Sequence, residues 1–155
     1  QFQGNKNNFH APQNNYINVV LDSHTGNPLL LAVIYVVIAR MLNLPIYGVN
    51  LPNHFVLAYM DKNNLLKLVG EDDGSNILFY INPFSRGTIF QRKEIDDFLE
   101  QLNLPKHEQF YEPCSNIDIV NRMITNLINS YEKLGYPDKV AELELVRKSL
   151  QISEE

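Results

Sequence analysis

The sequence is poor in cysteine, in basic clusters and in long apolar runs, and each shortage excludes a class of protein. Its single cysteine, Cys114, excludes an internal disulfide and a zinc site built from cysteines. Lysine and arginine together number 13 against 18 acidic residues, and no run of five basic residues occurs. The net charge of −5 therefore argues against a nucleic-acid-binding protein.

No apolar run is long enough to cross a membrane. The longest covers residues 28–39, whereas a spanning helix needs roughly 18 or more apolar residues. We therefore interpret this run as a buried helix and expect no membrane association. The chain begins at Gln1 and shows no basic-then-apolar leader, so we expect a fragment or a processed form. Scarce cysteine is compatible with the cytoplasm.

Hydrophobic residues make up 45% of the 155 residues, which is enough for a real core in one domain with a small appendage. After an irregular segment over 1–15, a short helix is predicted for 16–24, capped by Asn14 or Asn15. Asn27 is a good N-cap and Pro28 a good first residue for a second helix over 28–43. This helix is apolar nearly all round, so we predict that it is central.

The hydrophobic period then changes to that of strands. Strands are predicted for 46–51, 54–60 and 77–81, with a tight turn at Pro52-Asn53 and a further short strand at 65–69. The segments 61–64 and 71–76 read as hairpin tips. A short helix over 93–102 and a linker over 105–113 follow.

The C-terminal part returns to helical spacing. Ser115 and Asp118 form a predicted capping box before apolar residues that recur through 119–131, and Gly135 ends that helix. A second amphipathic helix is predicted for 137–150. Such a pair cannot bury its apolar face alone, so it must pack on the preceding domain or on another pair. The order of elements predicts an α+β fold, with one domain over 1–112 and a helical pair over 113–155.

Three segments occur in a specific order, the first of them made of two stretches. N-N-Y-I-N-V-V-L at 14–21 precedes G-N-P-L-L-L-A at 26–32, then come G-V-N-L-P-N-H-F at 48–55 and I-N-P-F at 81–84. In this combination the sequence resembles the bacterial transglutaminase-like family with tetratricopeptide-type C-terminal helices, the invasion-regulator type. The resemblance covers roughly residues 2–90 and extends to the tail. It implies a papain-related core, in which a central helix packs on a small antiparallel sheet, plus a C-terminal helical pair.

The resemblance also implies where a catalytic site would lie. Active members of the superfamily carry a Cys at the start of the central helix, a His on a strand and an Asp on the next strand. A helix N-terminus lowers the pKa of a thiol, the imidazole takes the proton and the carboxylate orients the imidazole. In this sequence the nucleophile position falls within 28–30, where Leu30 replaces the Ser that the family often has. His54 matches the His, Asn82 matches the Asp, and Asn53 replaces a Gly.

These replacements predict a catalytically degenerate domain that acts as a binding or regulatory module for a protein or peptide. His54, Asn82 and Asn53 are the predicted binding residues, and no cofactor is expected. A metal site is not expected either, because His10, His24 and His107 lack metal-ligand spacing.

Other readings of the same residues stay open. His54 acting as a general base on water, oriented by Asn82, would make a hydrolase without a covalent intermediate. A structural spacer would fill the cleft with its own side chains, with Leu29, Leu30 and Phe55 packed over the imidazole. His54 can also be only a half-buried strand residue, and Asn82 can simply cap or terminate a strand. Cys114 is interpreted as structural or incidental.

Overall fold

The computed structural model describes residues 2–5, 11–70 and 74–152, without the side chains of 151 and 152. Helices within these ranges fall before, between and after the strands of the main sheet. They are α1 (Ile17–Ser23), α2 (Pro28–Met41), α3 (Leu65–Val69), α4 (Arg92–Gln101), α5 (Asn116–Leu134) and α6 (Pro137–Ile152). None of them is long and apolar enough to cross a membrane.

The described strands form two sheets. They are β1 (Gln3–Gly4), β2 (Thr25–Gly26), β3 (Ile46–Leu51), β4 (His54–Met60), β5 (Ile77–Asn82) and β6 (Thr88–Phe90). The main sheet is antiparallel in the order β3-β4-β5-β6, and β1 pairs with β2 in parallel. The β3–β4 hairpin pairs Leu51 with His54 across the predicted Pro52-Asn53 turn. The predicted α+β fold, with a helix on a small antiparallel sheet, is confirmed.

Helix α2 packs on one face of the main sheet. Its side chains Leu29, Ala32, Val36 and Ala39 recur at helical spacing and bury against Ile46, Phe55, Leu57 and Ile81. Each large side chain buried in this way contributes about 1.5–3 kcal/mol. Nearer its start, the other side of α2 is also buried, against Val20, whereas Val37, Ile38 and Met41 are exposed toward its C-terminal end. The predicted central position therefore holds for the first turns of α2, whereas its last turns carry exposed apolar side chains.

The other face of the sheet is covered by α4 and the segment after it. Val49, Leu51, Val56 and Tyr80 form this side of the core together with Ile95, Leu99 and Tyr111. Tyr111 is 1% exposed, although it lies in the predicted 105–113 linker. That segment is therefore not a free linker, because it supplies a central core residue.

Several local predictions are wrong. Residues 65–69 form helix α3 and not a strand, since both Asp61 carboxylate oxygens accept hydrogen bonds from the first backbone N–H groups, at 2.9 Å each. Asn14 and Asn15 do not cap α1, because they belong to a 3₁₀ turn that ends before its N-cap, Tyr16. The paired strands β1 and β2 and strand β6 had no sequence signal. Of the predicted 71–76 hairpin tip, 71–73 lie outside the described residues.

The two C-terminal helices form as predicted. Ser115 and Asp118 make the reciprocal hydrogen bonds of a capping box, and Gly135 ends α5 with φ of 74°. Helix α5 packs on the core through Ile119 and Met123. Within the described part of the chain, α6 packs chiefly on α5. Of the pair, α5 thus packs its apolar face on the preceding domain, one of the two arrangements that the sequence allowed.

Candidate functional site

A cleft of about 830 Å³ opens between the start of α2, the β3–β4 turn and one face of α5. Its lining is rich in amide side chains. The lining residues are Asn15, Asn27, Pro28, Leu29, Pro52, Asn53, His54, Phe55, Arg122, Thr125, Asn126, Asn129, Ser130, Glu132 and Lys133. The core domain and helix α5 therefore both contribute walls.

Two buried amides fix the start of α2 at the floor of this cleft. The Asn27 carboxamide oxygen accepts a hydrogen bond from the Leu30 backbone N–H at 2.8 Å, as the capping prediction requires. Its Nδ2 donates to Asn15 Oδ1 at 2.7 Å. Both side chains are nearly fully buried, so each supplies the partner that the other needs. The helix start is thereby held rigidly against the segment that precedes α1.

In the first turn of α2, the side chains of Pro28 and Leu29 line the cleft. Leu30, the position singled out by sequence, does not line the cleft. It is 1% exposed and packs with Val20, Leu31 and Ile34 on the far side of α2. None of the residues at 28–30 carries a nucleophilic atom.

His54 begins β4 and lies in the cleft wall, half-buried. Its ring lies between Phe84 and Phe98, with centroids 6.4 and 6.3 Å away. Burial lowers the pKa of the imidazole, the Asn82 side chain raises it as a hydrogen-bond partner, and the nearby Arg122 charge lowers it again. The net result is a pKa below 6.5, so His54 is neutral at pH 7.

Asn82 ends β5 and lies behind the imidazole, outside the lining of the cleft. Its Oδ1 also accepts hydrogen bonds from the Phe84 and Ser85 backbone N–H groups, at 3.1 and 3.2 Å. Asn82 is therefore both a strand terminator and a partner of His54, so the two readings of this residue coexist.

Asn53 lies at the rim and is exposed. Its φ of 56° is left-handed, a conformation that Asn adopts more readily than most residues. The hairpin turn that places His54 in the cleft therefore forms without a glycine, as the sequence predicted.

Arg122 is a cleft-lining side chain that was not predicted from the sequence. It projects from α5, and its Nη1 donates to Asn50 Oδ1 at 2.8 Å and to the Leu51 carbonyl at 3.2 Å. A signal was available, because Arg122, Thr125, Asn126, Asn129 and Lys133 form a polar stripe at helical spacing. The apolar residues of the same helix form the more regular pattern, and the prediction for α5 was based on them and not on this polar stripe.

Cys114 lies outside the cleft lining and packs against the core between α2 and the sheet. Its backbone N–H donates to the Gly48 carbonyl at 2.8 Å. Burial, and secondarily the Asp118 charge, raise the pKa of the thiol to about 11. Cys114 therefore does not replace the missing nucleophile beside His54.

Cys114 is expected to react slowly with iodoacetamide at pH 7.5. A thiol pKa of about 11 in place of 9.0 leaves roughly a hundredfold less reactive thiolate. The rate is measured by mass spectrometry, with the same chain in denaturant as the control. Equal rates in the folded and denatured chain would contradict the buried, protonated thiol.

The geometry of a helix start facing a strand histidine agrees with a comparison of the sequence with protein families. A sequence model of the transglutaminase-like superfamily matches residues 1–125. The chain belongs to the transglutaminase-like superfamily. This family match extends beyond residue 112 into α5, the helix that carries Arg122.

Curated members related to this transglutaminase-like chain come from bacteria and mammals. The chain is 27% identical over 146 residues to a UPF0162 protein of Xylella fastidiosa (strain 9a5c), which covers 90% of this chain and 47% of that protein. It is 27% identical to F-box only protein 21 of Pongo abelii and 26% to that of Homo sapiens, covering 98% of this chain in both. The chain spans about half the length of the bacterial relative and under a quarter of the F-box proteins. No solved structure matches the chain.

The remaining histidines were not predicted to form a site. The His24 ring contacts Phe2 in a tilted arrangement and the His107 ring contacts Phe110 edge to face, while His10 lies outside the described residues. Within the described ranges, no group of three or more His, Cys, Asp or Glu side chains is placed to hold a metal ion.

His54 is expected to titrate below pH 6.5 in the folded protein. Because its folded pKa is lowered, the unfolded chain binds the proton more tightly. The stability linked to His54 is therefore fully present above pH 6.5 and is lost as the pH falls through the folded pKa. Proton NMR of the imidazole, assigned with His54→Gln, measures the midpoint. A midpoint at or above 6.5 would contradict the burial and the Arg122 charge as causes.

Proposed function

We propose that this transglutaminase-like domain is a binding module, in which a catalytic cleft without a nucleophile receives a protein or peptide segment. The observation that carries the proposal is the side chain at the start of α2. Where the superfamily places a thiol, the cleft is bordered by Pro28 and Leu29, and Leu30 is turned into the core. A hydrocarbon side chain there cannot attack a carbonyl group.

The expected loss of activity is large. Removing the nucleophile of a protease triad costs about 10⁶ in turnover, and replacing its Asp by Asn costs about 10⁴. The losses within one catalytic unit are not additive, but either one is crippling. Asn82 supplies no negative charge to stabilise an imidazolium, which is consistent with a His54 that stays neutral.

The shape of the cleft supports binding over a purely structural role. A volume of about 830 Å³ lies within the range of ligand sites, which is about 300–1,000 Å³. The Phe84 and Phe98 rings lie near the imidazole, and Leu30 packs with Val20 on the far side of α2, so Leu30 does not close over His54 as a filled spacer would require. Amide side chains offer both donors and acceptors, as a peptide backbone requires.

Two experiments test the proposal. Incubation with a glutamine peptide and a fluorescent amine, and with peptide and ester substrates, should give the same background rate as His54→Ala. Fluorescence anisotropy with labelled peptide pools should detect binding that Asn129→Trp weakens by obstructing the α5 wall. Asn63→Trp, at an exposed site outside the cleft, is the matched control. Binding unaffected by Asn129→Trp would count against the cleft as the binding site.

A hydrolase is the second candidate, and one observation favours it. His54 is neutral and borders an open cleft, so it can accept a proton from water, with Asn82 orienting the ring. This function predicts ester or amide hydrolysis that rises with pH through the His54 pKa and disappears in His54→Ala. Turnover of that kind would replace the binding-only proposal.

A further inference from the structure

The Arg122 guanidinium is only partly used by the protein. Its Nη1 ties α5 to the end of β3 through Asn50 and Leu51, and no described group bonds its Nη2 or Nε. Among the described residues, no carboxylate forms an ion pair with it. A half-buried cation without a counterion is costly, and an anion in the cleft would remove that cost.

The cleft carries positive charge in an acidic protein. Arg122 and Lys133 face a single acid, Glu132, whereas the whole chain has a net charge of −5. A negative group is therefore attracted to this surface and repelled by most of the rest. The neutral His54 adds a hydrogen-bonding group beside Arg122 without adding charge at pH 7.

The start of α2 is a poor site for a phosphate. Pro28 has no N–H, and the Leu30 and Leu31 N–H groups already donate to the Asn27 side chain and carbonyl. Only the Leu29 N–H is left, so the helix does not form the multi-donor cradle that phosphate groups occupy. Arg122 is the principal donor, and a planar guanidinium matches a planar carboxylate through two parallel hydrogen bonds.

We propose that the cleft binds a peptide through a carboxylate group, which pairs with the free edge of Arg122 while the amide-lined wall contacts the adjoining backbone. This inference rests on the proposed binding function and specifies the chemistry of its ligand. The tie to β3 uses Nη1 alone, so Arg122 can hold α5 and still present its other nitrogens.

The test compares two pools of acetylated, labelled tetrapeptides that differ only in a C-terminal carboxylate or a C-terminal amide. On the unmodified protein the acid pool should bind at least tenfold more tightly. An amidated pool with an internal glutamate is the third arm. Tight binding of that pool as well would assign the carboxylate to a side chain, and weak binding would assign it to the chain terminus. Inorganic phosphate that competes at lower concentrations than acetate would contradict the choice of a carboxylate.

Substitutions then locate the effect. Arg122→Gln keeps a donor for Asn50 but loses the positive charge and the pair of nitrogens that can donate in parallel to a carboxylate. The tenfold preference for the acid pool should therefore vanish. Lys93→Gln removes an exposed positive charge outside the cleft lining and should change affinity less than twofold. The comparison on the unmodified chain remains decisive even if Arg122→Gln fails to fold.

The outcomes separate the two proposals. Equal binding of the acid and amide pools, or an acid preference that survives Arg122→Gln in a folded protein, overturns the carboxylate inference and leaves the binding function intact. No binding of any pool overturns both.

Discussion

Replacing Tyr111 by alanine is expected to lower the free energy of unfolding by about 3–5 kcal/mol. The side chain is 1% exposed at the centre of the cluster formed by the sheet and α4. Its ring lies 3.8 Å from the Arg92 guanidinium carbon, and its hydroxyl donates to Asp96 Oδ1 at 2.5 Å. The alanine variant would lose the buried ring, the cation–π contact and this hydrogen bond together.

Tyr111→Phe separates these contributions. It keeps the ring and removes only the hydroxyl bond, so a loss of about 1–2 kcal/mol is expected. Urea denaturation followed by circular dichroism measures the free energy of unfolding of both variants. The dependence of that free energy on urea concentration, the m-value, shows whether the unfolding remains cooperative. A Tyr111→Ala loss below about 1.5 kcal/mol would contradict the central position of this residue.

Replacing Asn27 by alanine is expected to cost about 2–4 kcal/mol. Loss of an N-cap side chain costs about 1 kcal/mol. The buried Asn15 Oδ1 also loses its donor, and an orphaned buried polar group costs about 1–3 kcal/mol more. Because both residues line the cleft, peptide affinity should fall with stability.

Asn27→Asp is the matched control for this prediction. The carboxylate still accepts from the Leu30 N–H and is favoured at a helix N-terminus, and the Asn15 amide can rotate to donate to it. A loss under about 1 kcal/mol is expected, again from urea denaturation. Similar losses for the alanine and aspartate variants would show that the two amides do not stabilise the helix start as described.

The parts of the fold that were predictable have local causes. The start of α2 follows from Asn27 and Pro28, the start of α5 from the Ser115–Asp118 box, and the β3–β4 turn from Pro52-Asn53. Each signal lies within a few residues of the structure it specifies. His54 could be assigned to the cleft because a motif placed it directly after that turn.

The features that were missed depend on side-chain contacts that the local hydrophobic pattern does not reveal. The strand-like apolar run at 65–69 becomes helical because the Asp61 carboxylate bonds its first N–H groups. Tyr111 is buried because α4 and the sheet enclose it. Its neighbours in the sequence include polar residues, so no local pattern predicted this burial. Arg122 reaches the cleft only because α5 folds back over β3. This brings Arg122 next to Asn50 and Leu51, which lie 72 and 71 positions earlier in the sequence.

The docking of α5 over β3 couples two properties that would otherwise be independent. A single rigid element carries Arg122 on the cleft side and supports α6 on its other side. Any contact that stabilises the position of α6, in this chain or in a longer one, therefore also affects how firmly the Arg122 guanidinium is held at the cleft. Ligand occupancy should therefore slow amide hydrogen exchange in α6, although that helix contributes no side chain to the cleft lining among the described residues.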